Sequence, residues 1–142
     1  MNGVFFAFIA AILWGIDYAI AGQTYKKISV ATSLSIEMFI GGIIFFIFNQ
    51  STIIKDIKTF KTDHKLLFLF VIGGILFNVA MYMIAKSIQV SNATIAGLIE
   101  ISYPLFIILS SFLFFNENTL SLPIIIGGIL IMIGVIIIGY HS

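Results

Sequence analysis

Five apolar segments, about Val4 to Gly22, Val30 to Phe48, Leu66 to Ala85, Ala93 to Phe115 and Leu120 to Gly139, take up most of the chain. Each is close to the ~20 residues that carry an α-helix across the hydrocarbon of a bilayer. Lipid offers no partner for a backbone N–H or C=O, so a segment of this kind must satisfy its own hydrogen bonds as a helix. The expected fold is therefore an all-α integral membrane protein with five transmembrane helices in one domain, residues 1–142. The second span is the least regular. Glu37 leaves only Met38 to Phe48 uninterrupted, a length that also suits a re-entrant segment, whereas Ser33 and Glu37 at helical spacing can share one inward face of a full span.

Composition supports the same class and excludes others. Hydrophobic residues make up 61% of the chain and charged residues 9%, far from the balance of a soluble domain. The net charge is +1 and every basic side chain apart from histidine is a lysine, so no basic patch able to grip the phosphate backbone of a nucleic acid is expected, and no nucleic-acid partner. Without cysteine there is neither a disulfide nor a thiolate metal site, and no cofactor or metal is expected. HExxH, GxSxG and P-loop patterns are missing, which argues against an enzyme. The small residues Ala19 to Gly22 resemble a signal-cleavage site, but the lysine-free start and the adjacent Asp17 argue that residue 1 belongs to the fold.

The connections carry helix-starting residues. Ser29 or Thr32, Asp63, Ser91 or Asn92, and Thr119 or Ser121 can each cap the following helix, and Pro123 falls in a first turn where its missing N–H does no harm. The longest connection, Asn49 to Lys65, places Ile53, Ile57 and Phe60 at i, i+4 and i+7 among Lys55, Lys58 and Lys61. This pattern fits a short helix lying on the membrane surface, or a solvated basic loop. Small residues at Gly3, Ala7, Ala11, Gly15 and Ala19 give the first helix a smooth ridge, and IGGI recurs at Ile40, Ile72 and Ile126. Both patterns predict close helix packing.

The polar residues inside the spans are the candidates for function. With alternating helices, Asp17, Glu37 and Glu100 all lie toward one membrane surface, each about 7 to 12 Å below it at 1.5 Å per residue. An ionised side chain at such depth costs at least about 2.5 kcal/mol, and residues of this kind usually mark a substrate or proton path. Lys86 ends the third span on the same side and is a possible ion-pair partner of Glu100. Gly74, Asn78, Tyr82 and Lys86 step by four along the third helix, offering an amide, a phenol and an ammonium in one stripe. Pro104 cannot donate to the Glu100 carbonyl, so it predicts a kink with a free acceptor beside the carboxylate, and Tyr103 adds a hydroxyl nearby. Three span acids against one lysine leave an excess of negative charge that suits a proton or a cation.

ILWG with Trp14 and Gly15, the long run MYMIAKSIQVSNATIAGLIEISYPLF, LFFNE ending at Glu117, and IGGILIMIGVIII follow one another in a telling order and spacing. Together they resemble the EamA-like domain of the drug/metabolite transporter superfamily over essentially the whole chain. The resemblance implies a secondary-transporter unit of the cytoplasmic membrane, related to proteins built from two inverted five-helix repeats with the substrate path between them. By position it brings Trp14, Tyr82, Tyr103 and Pro104 toward that path and gives Glu117 a structural place at a loop end. The acids at 17, 37 and 100 depart from the resemblance, so no substrate is carried over from it.

An odd number of spans puts the termini on opposite sides, and one copy cannot supply both inverted halves. Lys55, Lys58, Lys61 and Lys65 on the N-terminal side face Lys26, Lys27 and Lys86 on the other, a weak orientation bias. The expected assembly is a homodimer, with antiparallel insertion open to it, or a pair with a partner chain. The expected activity is movement of a small metabolite or cationic compound, coupled to protons. In that scheme Glu100 accepts the proton or cation, Asp17 and Glu37 set the local potential, and Asn78, Tyr82 and Tyr103 orient the substrate. The alternative is an accessory or lipid-translocating subunit, against which the excess acid weighs where the lipid is anionic.

Overall fold

The computed structural model describes residues 3–117 and 120–141. The described regular structure is helical throughout: α1 (Gly3–Thr24), α2 (Val30–Phe48), α3 (Gln50–Thr62), α4 (His64–Val90), α5 (Ala93–Glu100), α6 (Tyr103–Phe115) and α7 (Leu122–His141). Five spans result, because α5 and α6 together form the fourth, Ala93–Phe115. The second is a continuous helix of 19 residues, so Glu37 interrupts the apolar pattern without interrupting the helix, and the re-entrant alternative falls away.

The starts follow local chemistry. Ser29 Oγ accepts from Thr32 N–H at 3.2 Å, Asp63 Oδ1 from Leu66 N–H at 2.9 Å and Asn92 Oδ1 from Ile95 N–H at 2.9 Å, each satisfying an amide left without an intrahelical partner. Of the other capping candidates, Thr119 lies outside the described residues. The C-terminus of α6 is set by Asn116 in the left-handed region at φ 55°, which asparagine tolerates better than most residues. Glu117 follows it, with its N–H bonded to the Ser111 carbonyl at 3.1 Å.

The fourth span is broken more completely than a kink implies. Ile101 and Ser102 form a turn, and Pro104 sits in the first turn of α6, where no N–H is required of it. The third span differs in length. The apolar run ends near Ala85, yet α4 continues to Val90 because the segment beyond it has its own anchors. Lys86 Nζ donates to Gln89 Oε1 at 2.8 Å, and Gln89 Nε2 donates to the Tyr25 carbonyl at 3.1 Å, tying this polar last turn to the α1–α2 connection.

Packing is concentrated at one end. Ala21, Tyr25, Val30, Leu34, Ala85, Ile88 and Ala96 form the buried cluster where α1, α2, α4 and α5 converge. Most other large apolar side chains are exposed and present the surface that bilayer hydrocarbon covers. The small-residue ridge of α1 is not used inside the subunit. Nothing lies within 4 Å of a Cβ built at Gly3 or Gly15, and Gly41, Gly42, Gly73, Gly74 and Gly127 are equally open. The expectation of close packing there is corrected, because α1 turns its Tyr18, Ala21 and Tyr25 face inward instead. The exception is Gly128, where an added Cβ would come within 2.7 Å of Leu105 Cδ2, so α7 meets α6 closely at that point.

Candidate functional site

Because α1 and α2 both pack on α4, an open groove of about 670 Å³ is left between them. Asp17 from α1 and Glu37 from α2 face it, Trp14 and Leu13 line the α1 wall, and Phe77 and Met81 of α4 form its floor. Ser33, buried at the α2 end of the core, donates to Glu37 Oε1 at 2.7 Å and fixes that carboxylate along its own helix. The walls are apolar and the charged atoms few, the usual make-up of a small-molecule site. A second cleft, about 410 Å³, opens near the α1–α2 and α4–α5 connections and has no acidic residue in its lining.

Glu100 lines neither opening and is reached through Tyr18 of α1. Tyr18, the residue after Asp17, donates its hydroxyl to Glu100 Oε2. Gly97 eases this contact. A Cβ there would lie 3.3 Å from Tyr18 Cδ2, a tight approach, so the glycine lets the ring lie close to α5 and carry its phenol on to Glu100 without displacement. Trp14 meets Tyr18 edge to face, with ring centroids 5.6 Å apart and planes at 68°. One helix therefore carries Asp17 toward Glu37 and Tyr18 toward Glu100, with Trp14 touching both arrangements. At the neighbouring connection, burial first and then the Glu37 and Asp17 carboxylates push the Tyr25 phenol above its ordinary range.

The remaining candidates are placed differently. Lys86 is bonded to Gln89 and Glu100 to Tyr18, so two separate hydrogen bonds stand where the sequence offered an ion pair. Asn78 is exposed and donates to the Gly74 carbonyl of its own helix at 2.8 Å. Tyr82 and Tyr103 are 40% and 57% exposed, and neither lines the groove, where Phe77 and Met81 stand on the face of α4 next to the Asn78–Tyr82 stripe. Tyr18 was missed by sequence reasoning. The available signal was Gly97 three residues before Glu100, which leaves room for an aromatic ring beside the acid.

Removing the hydroxyl alone tests this contact. Tyr18→Phe keeps the ring on Gly97 but leaves Glu100 without its donor, and is expected to lower stability by about 1.5–3 kcal/mol, the range for a hydrogen bond to a charged group. Thermal unfolding of Tyr18→Phe, Glu100→Ala and the double variant in mild detergent should give a non-additive cycle. Additive losses would mean that the two groups do not interact.

Among the described residues, five helices long and apolar enough to span a membrane make this a multi-pass helical membrane protein, with a candidate polar site in the groove between α1 and α2. The profile of the EamA-like transporter family matches residues 1–140, and the chain belongs to that family, which is one of transporters rather than enzymes. A comparison with curated protein sequences finds no match, and neither does a comparison with solved structures.

Proposed function

We propose that this chain is a proton-coupled secondary transporter of a small metabolite or cationic compound, acting in the cytoplasmic membrane as a homodimer. The observation that carries the reading is the groove in which Asp17 and Glu37 face each other's helices between apolar walls, with Trp14 beside them. Two carboxylates without a lysine among the lining residues favour a cation, and an aromatic face adds cation–π attraction for an organic one. Glu100, linked to the same helix through Tyr18, is the proton acceptor in this scheme. Asn78, Tyr82 and Tyr103 would join the path only through a rearrangement or a second subunit.

The homodimer rests on the open surfaces of the single unit. The groove is open along its length, and the Gly3–Ala7–Ala11–Gly15–Ala19 ridge is uncovered. A second unit of inverted topology would supply the other half that relatives with two repeats carry in one chain.

Transport is tested in proteoliposomes with an imposed proton gradient and tetraphenylphosphonium as the probe cation. Gradient-driven uptake is expected, and Asp17→Asn with Glu37→Gln is expected to weaken binding by about tenfold or more, equivalent to ~1.4 kcal/mol. Binding unchanged in that double variant would remove the groove from the substrate path. Assembly is tested by Ser142→Cys, since the chain has no cysteine of its own. For antiparallel insertion, about half the protein should react with an impermeant maleimide only after permeabilisation. One uniform orientation would exclude the antiparallel homodimer.

A further inference from the structure

On the surface opposite the three span carboxylates, α3 occupies a position that transport does not explain. It is joined to α2 by Asn49 alone and to α4 by Asp63 alone, so both of its ends are held at the ends of membrane spans. A helix so tethered stays beside the ends of α2 and α4. One ring contact reinforces this, with Phe60 packed on Phe70 of α4 at a centroid distance of 4.9 Å.

The faces of α3 are unequal. Ile53 and Phe60 are half-buried, while Lys55, Lys58 and Lys61 are exposed. With an advance of about 100° per residue, the three lysines span an arc of about 120° that runs from one flank of the Ile53–Ile57–Phe60 face, at Lys61, to the side opposite it, at Lys55, and Asp56 falls on the other flank. Lys65 adds a fourth charge from the first turn of α4. Lys26 and Lys86 at the other surface are tied to Gln23 and Gln89, but these four ammonium groups have no hydrogen-bond or carboxylate partner among the described residues. The nearest acid in sequence on the α4 side, Asp63, is committed to capping Leu66.

We propose that α3 is a binding site for anionic phospholipid, with Lys55, Lys58, Lys61 and Lys65 engaging headgroup phosphates while the Ile53–Phe60 face sits at the acyl boundary. Charge complementarity selects the occupant. A lysine near an anionic leaflet is attracted by the surface potential, whereas a zwitterionic surface offers no such field. The long lysine stems let their ammonium groups reach the phosphate level while the apolar flank stays below it. The site lies apart from the groove, so it stands or falls independently of the transport reading.

A single reporter reads the contact in the full-length protein. Ile54 is exposed and falls between Lys61 and Lys58 around the helix, beside the apolar face, and Ile54→Cys gives one attachment point for bimane in a chain without cysteine. The protein is reconstituted in phosphatidylcholine vesicles that contain either 5-doxyl phosphatidylglycerol or 5-doxyl phosphatidylcholine. The anionic quencher is expected to act at about tenfold lower mole fraction, a preference that high salt removes. Adding Lys55→Gln, Lys58→Gln and Lys61→Gln should bring the two lipids to parity, while Lys26→Gln with Lys27→Gln should leave the preference intact. Equal quenching by both lipids in the lysine-bearing protein, or a preference that survives the triple substitution, overturns the proposal. So does a label that neither lipid quenches but aqueous iodide reaches, or one whose lipid quenching vanishes as the protein-to-lipid ratio rises, which would put a second copy on α3.

Discussion

Glu100→Gln is expected to abolish proton-coupled transport while leaving the protein folded. The glutamine amide keeps the size of the side chain and an oxygen that accepts from the Tyr18 hydroxyl, so the α1–α5 contact has a replacement partner. What it loses is the ability to take up and release a proton. Gradient-driven uptake should therefore fall to the level of empty vesicles, with monodisperse elution and helical content unchanged. Uptake at the original rate would remove Glu100 from the proton path and leave its bond to Tyr18 as a purely structural contact.

The second large effect concerns stability. Ala96 is 1% exposed and Ala85 2%, in the buried cluster where α1, α2, α4 and α5 converge. Ala96→Leu introduces three carbons where no space exists, and overpacking of this kind costs about 1–3 kcal/mol or more. The strain would be applied one residue from Gly97, on which the Tyr18 ring lies, so loss of stability and loss of the Tyr18–Glu100 bond should occur together. Thermal unfolding in detergent measures the first. Ile99→Leu, at a position 38% exposed, is the control expected to change little. An unaltered midpoint for Ala96→Leu would show that the helices do not close at this cluster.

The spans were legible because lipid imposes a length and an apolar composition that are visible without any partner. The caps were legible for a similar reason, since Ser29, Asp63 and Asn92 act on amides only three residues away. Contacts between distant segments were not. Tyr18 and Glu100 are 82 positions apart, and nothing in the first helix marks a tyrosine as the donor when the neighbouring Asp17 draws attention by its charge. The small-residue ridge misled because GxxxG-like spacing records a surface able to receive a helix, not which chain provides it. The stripe through Asn78 and Tyr82 was a true helical stripe, but the groove is floored by Phe77 and Met81, one position earlier on each turn. Periodicity fixes which residues share a face, and only packing decides where that face points.

Trp14 is the single tryptophan of the chain, and it stands in the wall of the acidic groove with its ring against Tyr18. Indole emission depends on the polarity and nearby quenching groups around the ring, so the whole ultraviolet tryptophan signal of this protein comes from the candidate site. The transporter thus contains its own optical gauge: titration with a cation or a change of pH can be followed at the groove without a label.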